Sequence, residues 1–149
     1  MKKLFLIIFL LFPINVLALI EVDITRGNLN PLPIAVSPLS IDSDSKKNFE
    51  KILKKKDIGS EISMVIENNL KISGLFNPLN KDAFLQAPDI ANLKPRFEDW
   101  NLIKAQALIT GKVKYVDDKL RVEFRLWDVL AGKEMMALAF TTVPNNWRR

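Results

Sequence analysis

The chain contains no histidine and no cysteine, which leaves paired carboxylates as the residues to weigh first for chemistry. The absence of those two residue types removes the commonest general base and metal ligand, together with disulfides, thiolate metal sites and a lipid-anchoring N-terminal cysteine. The acidic pairs Glu98–Asp99 and Asp117–Asp118 are the candidates for acid–base work. One pair falls at a helix start and the other in a hairpin turn, positions where carboxylates are ordinarily solvated and nothing nearby raises a pKa. No Gly-rich phosphate loop, serine nucleophile motif or metal spacing accompanies them. A second set, Lys112, Lys114, Arg121, Arg125 and Trp127, superficially offers basic groups and an aromatic for an RNA-reading sheet. Glu123 sits among them, and charge is the usual covering of a solvated sheet face. The chain therefore reads as a non-enzyme with no cofactor, no metal, no small-molecule substrate and no nucleic acid among its partners.

What remains is recognition by backbone and shape, and the amino-terminal residues carry the pattern for it. Lys2 and Lys3 precede an apolar run from Leu4 to Phe12, and Val16-Leu17-Ala18 places a small residue before a cut. This is the layout of a secretory signal over residues 1–18, cleaved between Ala18 and Leu19. The uncharged stretch from Leu4 to Ile20 is broken by Pro13 and Asn15 and lies at the short end of the spanning range. A periplasmic location is expected. The next residues alternate, with Ile20, Val22 and Ile24 against Glu21, Asp23 and Thr25, and this describes an extended segment with one apolar edge. Residues 19–32 form that segment and its linker, since Gly27 and the prolines Pro31 and Pro33 tether it loosely. Such a segment is either an edge strand of the domain's own sheet or a strand donated to a partner's sheet.

The elements behind these residues define an α+β domain over 33–149. Ile34-Ala35-Val36 is an unalternated apolar run between prolines, as in a strand covered on both faces. Lys46, Lys47, Lys51, Lys54, Lys55 and Lys56 cluster in Ser43–Lys56, a basic helix of a turn or two with Phe49, Ile52 and Leu53 on one side, and its lysines read as a solvated face. Ile58 to Ser73 is the clearest helix. Ile58, Ile62, Val65, Ile66 and Leu70 make its apolar stripe, Asp57 its N-cap and Gly74 its stop. Phe76 to Leu93 reads as a connector, and Phe97 to Ala105 as a second helix with Trp100 and Ile103 on one side. Residues 107–143 alternate as three strands joined at Asp117-Asp118 and Ala131-Gly132-Lys133, an antiparallel meander with one face on helices.

Taken together, Asp23 to Gly27 (DITRG), Pro31 to Pro38 (PLPIAVSP), Asp57-Ile58-Gly59, Ser73 to Leu79 (SGLFNPL), Phe97 to Gly111 (FEDWNLIKAQALITG), Leu120 to Gly132 (LRVEFRLWDVLAG) and Asn146 to Arg149 resemble the amino-terminal domain family of the periplasmic component of the Tol-Pal envelope system, TolB. The resemblance implies a mixed sheet of about five strands with helices on one face. It also implies that Asn146-Trp147-Arg148-Arg149 opens a further helix leading to a β-propeller that docks the lipoprotein Pal. On that expectation the chain stops short of the propeller, part of the sheet lacks cover, Pal binding is absent and the fragment is only marginally stable. The family's contact with the inner-membrane protein TolA maps onto Leu19, Ile20, Glu21, Val22, Asp23, Ile24 and Thr25. The implied role is upkeep of the outer membrane and its invagination in cell division. Two other classes are left open: an envelope-assembly accessory that binds a lipoprotein or lipid through an exposed sheet, and a periplasmic enzyme with an unusual carboxylate site.

Overall fold

The computed structural model describes residues 30–55 and 57–148. The strand β1 (Leu32–Val36) lies between two parallel neighbours, β3 (Phe76–Pro78) and β4 (Ala107–Val116), in the pairings Ile34 with Pro78 and Ile34 with Ala107. Farther along the same edge of β4 runs the two-residue β2 (Ser40–Ile41), also parallel. Then β5 (Lys119–Asp128) and β6 (Lys133–Thr142) continue antiparallel, so the order is β3-β1-β4-β5-β6 with β2 beside β4, six strands among the described residues. The mixed α+β architecture expected from the sequence is present, and the strand beyond the expected five is the very short β2. Ile34, Ala35 and Val36 are each at most 1% exposed, which is why their run shows no alternation.

Two long helices cover one face of this sheet. The first, α1 (Ser43–Leu53), is capped by Asp42, whose carboxylate accepts from the Ser45 amide at 2.8 Å and from its hydroxyl at 2.8 Å. Those bonds, the backbone one first, hold the Asp42 carboxyl below its ordinary pKa. The Ser45 hydroxyl in turn accepts from the Tyr115 amide at 2.8 Å, beyond the point where β2 stops pairing with β4. A helix cap thus substitutes for a strand partner. Phe49 is buried and meets the Tyr115 ring edge-on at 5.5 Å, whereas Ile52 is exposed. The second helix, α2 (Ile58–Ile72), begins at its Asp57 cap and ends before Gly74, whose φ of 72° is the left-handed stop. Ile58 and Ile62 join Val113 and Leu120, while Ile66 and Leu70 pack on Ile34, Val36, Ala107 and Ile109. Gly59 permits this approach, because a Cβ there would overlap the Leu39 carbonyl oxygen.

The opposite face is covered at one end by the connector. After a 3-10 turn at Lys81–Ala83 come the short α3 (Pro88–Leu93) and α4 (Phe97–Leu102), and α4 delivers Trp100 against Ala35, Leu108 and Val129. Alternation requires this, since Ala35 and Leu108 point away from α2 and sit at the parallel centre of the sheet. Buried Gln86 locks the corner, its Oε1 accepting from Trp100 Nε1 at 2.7 Å and from the Arg96 amide at 3.0 Å. α4 is shorter than the Phe97–Ala105 helix the sequence suggests: Lys104 turns with φ 62° and the Ala105 amide returns to the Trp100 carbonyl. Trp127 also departs from the charged face assigned to it. It donates to the buried Thr110 hydroxyl at 2.9 Å and packs against Phe97, because this end of the face is covered.

Candidate interaction surface

None of the carboxylate pairs builds a site. Asp99 bridges Arg96 at the start of α4, and Asp117 and Asp118 occupy the β4–β5 turn with φ of 49° and 58°, the two left-handed positions that a two-residue type I′ hairpin needs. Asp118 accepts from the Tyr115 hydroxyl, and this bond holds the phenol proton and raises its pKa. Among the remaining charges, Glu123 takes Arg121 at 2.8 Å and Lys112 at 3.1 Å, and Arg125 takes Glu134 at 3.0 Å. Glu123 is consequently held below the usual carboxylate range, by the Arg121 bond first and by Lys112 second. These are surface ion pairs that set local order.

The surface that stands out is the far edge of the sheet. Every residue of β6 from Lys133 to Thr141 is exposed, and among the described residues β6 pairs only with β5. The register aligns Leu126 with Met136, Phe124 with Leu138 and Val122 with Phe140, so an apolar double row runs to an open edge. Met136 is 50% exposed and Phe140 is 56% exposed, although the Phe140 ring stacks on Phe124 at 5.7 Å. Between this row and α2 lies a groove of about 340 Å³ floored by Val122 and Phe124 and walled by Val65, Ile66 and Trp147. On the reverse face Ala137 and Ala139 leave a concavity of about 300 Å³ bordered by Arg121 and Arg125.

Natural sheets usually blunt such an edge with charge, proline or a covering element. Here Lys133 and Glu134 guard only its beginning, and no charge follows until Arg148. Uncovered sheet was expected from the sequence, but not which row lies open or the groove beside it. A run of Met135 to Phe140 without any charge, beside a β5 in which every second residue is polar up to Arg125, was the legible clue. The proposed partner-binding residues Leu19, Ile20, Glu21, Val22, Asp23, Ile24 and Thr25, and the cleavage pair Ala18 and Leu19, lie outside the described residues.

A model of the TolB amino-terminal domain matches residues 20–135. The chain is 80% identical over 143 residues to the Tol-Pal system protein TolB of Pelagibacter ubique (strain HTCC1062), covering 96% of this chain and 32% of that protein. It therefore spans about a third of the length of this curated relative. Among solved structures, TolB from Acinetobacter baumannii superposes with a TM-score of 0.57 at 19% identity, covering 79% of this chain and 25% of that one. The LpoB C-terminal domain from Salmonella enterica gives 0.51 at 10% identity, covering 80% and 87%. At those identities the two structures speak to the fold alone.

Proposed function

Because the chain belongs to the TolB amino-terminal domain family, we propose that it works as a periplasmic, non-enzymatic interaction module of the Tol-Pal system. It pairs its segment Leu19–Thr25 with TolA and so contributes to outer-membrane integrity and to invagination at division. The observation that carries this reading is the family match, which reaches back to residue 20 and thus takes in the alternating segment ahead of β1. In strand addition the main chain supplies affinity while alternate side chains supply specificity. Ile20, Val22 and Ile24 fill apolar pockets on the partner, and Glu21 and Asp23 set register and charge match. The sheet and helices serve as the scaffold from which the segment projects.

Deletion of Leu19–Arg26 tests this. Capture of TolA is lost while the circular dichroism spectrum and melting transition of the domain are retained. Undiminished capture refutes the assignment, and capture of envelope lipoproteins that ignores the deletion moves the function to the open sheet.

A further inference from the structure

We infer that the open edge of β6 is a two-fold interface, at which a second copy of this chain lays its own β6 antiparallel and joins the two sheets into one. The main chain supplies the first reason. Every residue of Met135–Thr141 is exposed, and among the described residues β6 pairs only with β5, so alternate N–H and C=O groups of this run point outward. Lys133 and Glu134 stop short of the run, and beyond the bulge opposite Leu126 and Trp127 the ladder is regular from Met136 onward.

The second reason is that the run complements itself. A two-fold axis perpendicular to the sheet at Leu138 sets Leu138 opposite its own copy, Ala137 opposite Ala139 of the second copy and Met136 opposite Phe140 of the second copy. Alanine then meets alanine on one face, and large apolar side chains meet on the other, with a sulfur against an aromatic ring in two of the pairs. Through the register with β5 the apolar row continues across the seam, from Phe124 through the two Leu138 side chains to Phe124 of the second copy. Met136, Leu138 and Phe140 are 50%, 42% and 56% exposed in the single chain, and the pairing withdraws part of each from water.

Charge selects the same register. On the reverse face Arg125 stands beside Ala137 and Glu123 beside Ala139. With the axis at Leu138, each row across the seam runs from Arg125 over Ala137 to Ala139 and Glu123 of the second copy. Opposite charges thus face each other over two alanines, three strand spacings or about 14 Å at ~4.8 Å each. The concavity of about 300 Å³ over Ala137 and Ala139 gives the long side chains room to lean inward. Moving the axis one residue, to Ala137 or to Ala139, sets Arg125 against Arg125 or Glu123 against Glu123. Within each chain Glu123 also holds Arg121 and Lys112, and Arg125 holds Glu134, so this attraction fixes register and leaves affinity to the main chain and the apolar row. A seam of seven residues, about 24 Å long and about 10 Å thick, is smaller than the ~800 Å² per partner of a standard interface. The dimer is therefore reversible and forms as concentration rises.

Sedimentation velocity on the full chain across a range of concentrations is the deciding measurement. The mass doubles as concentration rises, and the Met136–Phe140 amides gain protection from hydrogen exchange in step with it. Leu138→Lys places two ammonium groups on the axis and abolishes the doubling while the circular dichroism spectrum is retained. Because the chain has no cysteine of its own, single cysteines report the register. Leu138→Cys oxidises to a covalent dimer, and Ala137→Cys cross-links to Ala139→Cys in a mixture several-fold faster than to itself, since only directly opposed residues lie within disulfide reach. One mass at every concentration overturns the inference. Edge protection in a chain of monomer mass overturns it as well, by assigning the cover to the chain itself. A dimer that survives Leu138→Lys, or Ala137→Cys that cross-links to itself as fast as to Ala139→Cys, places the contact elsewhere and overturns it likewise.

Discussion

β1 and β6 belong to one sheet yet occupy opposite environments. Ile34, Ala35 and Val36 in β1 have neighbours on both faces and both edges, whereas among the described residues β6 has helices on neither side and a partner on one edge only. The contrast separates two tasks. The parallel centre holds the domain together through burial, and the antiparallel margin leaves main-chain groups and apolar surface uncovered. Charge on β5 marks the transition, since Arg121, Glu123 and Arg125 bound the reverse face just where cover from Trp100 and Trp127 ends.

Substitutions graded across this divide test it. Trp100→Ala empties the corner beside Ala35 and Leu108 and orphans the Gln86 acceptor, and costs about 3–5 kcal/mol in chemical unfolding. Gly59→Ala drives a methyl into the Leu39 carbonyl and lowers stability by about 1–3 kcal/mol, read as an earlier melt. Asp42→Ala removes the cap of α1 and costs about 1 kcal/mol. At the margin, Phe140→Ser forfeits the stacking on Phe124 for only about 0.2–1 kcal/mol and reduces self-association seen in light scattering. A loss at Phe140 equal to that at Trp100 would erase the distinction between the two regions. The smallest effect is electrostatic. The folded state lowers the Glu123 pKa, so its contribution is complete above the ordinary carboxylate range and is lost as pH falls through the lowered value. Glu123→Gln flattens that part of the acid unfolding profile by less than about 1 kcal/mol.

The elements of this fold were readable where one residue type has one job. Asp57 and Gly74 bracket α2, Asp117-Asp118 close the first hairpin, and the unalternated Ile34-Ala35-Val36 is the doubly covered strand. Cover was harder to read than elements. Trp127 falls in the polar phase of β5, and only the tertiary position of Phe97 shows that it is turned toward a covered corner. Likewise the apolar phase of β6 reads as core, although the helices reach no farther than β5 at Leu120 and Val122. Periodicity reports which side chains share a face and is silent on whether anything lies over it. The alternating segment Leu19–Thr25 lies outside the described residues, and the open edge of β6 emerged only once its register placed an apolar row beyond the helices.

The insertion of β1 between β3 and β4 has a consequence in time. The meander of β4, β5 and β6 closes through short turns, whereas Ile34 reaches Ala107 across roughly seventy residues of chain. Local hairpins form in about 1–10 μs, and distant parallel pairings follow later because their loop closure must come first. Wherever the meander closes first, its Ile109, Val113 and Leu120 lack β1, α1 and α2 to pack on. In such a chain the uncharged edge at Met135–Thr142 is open to pairing with another unfinished chain before the core is sealed.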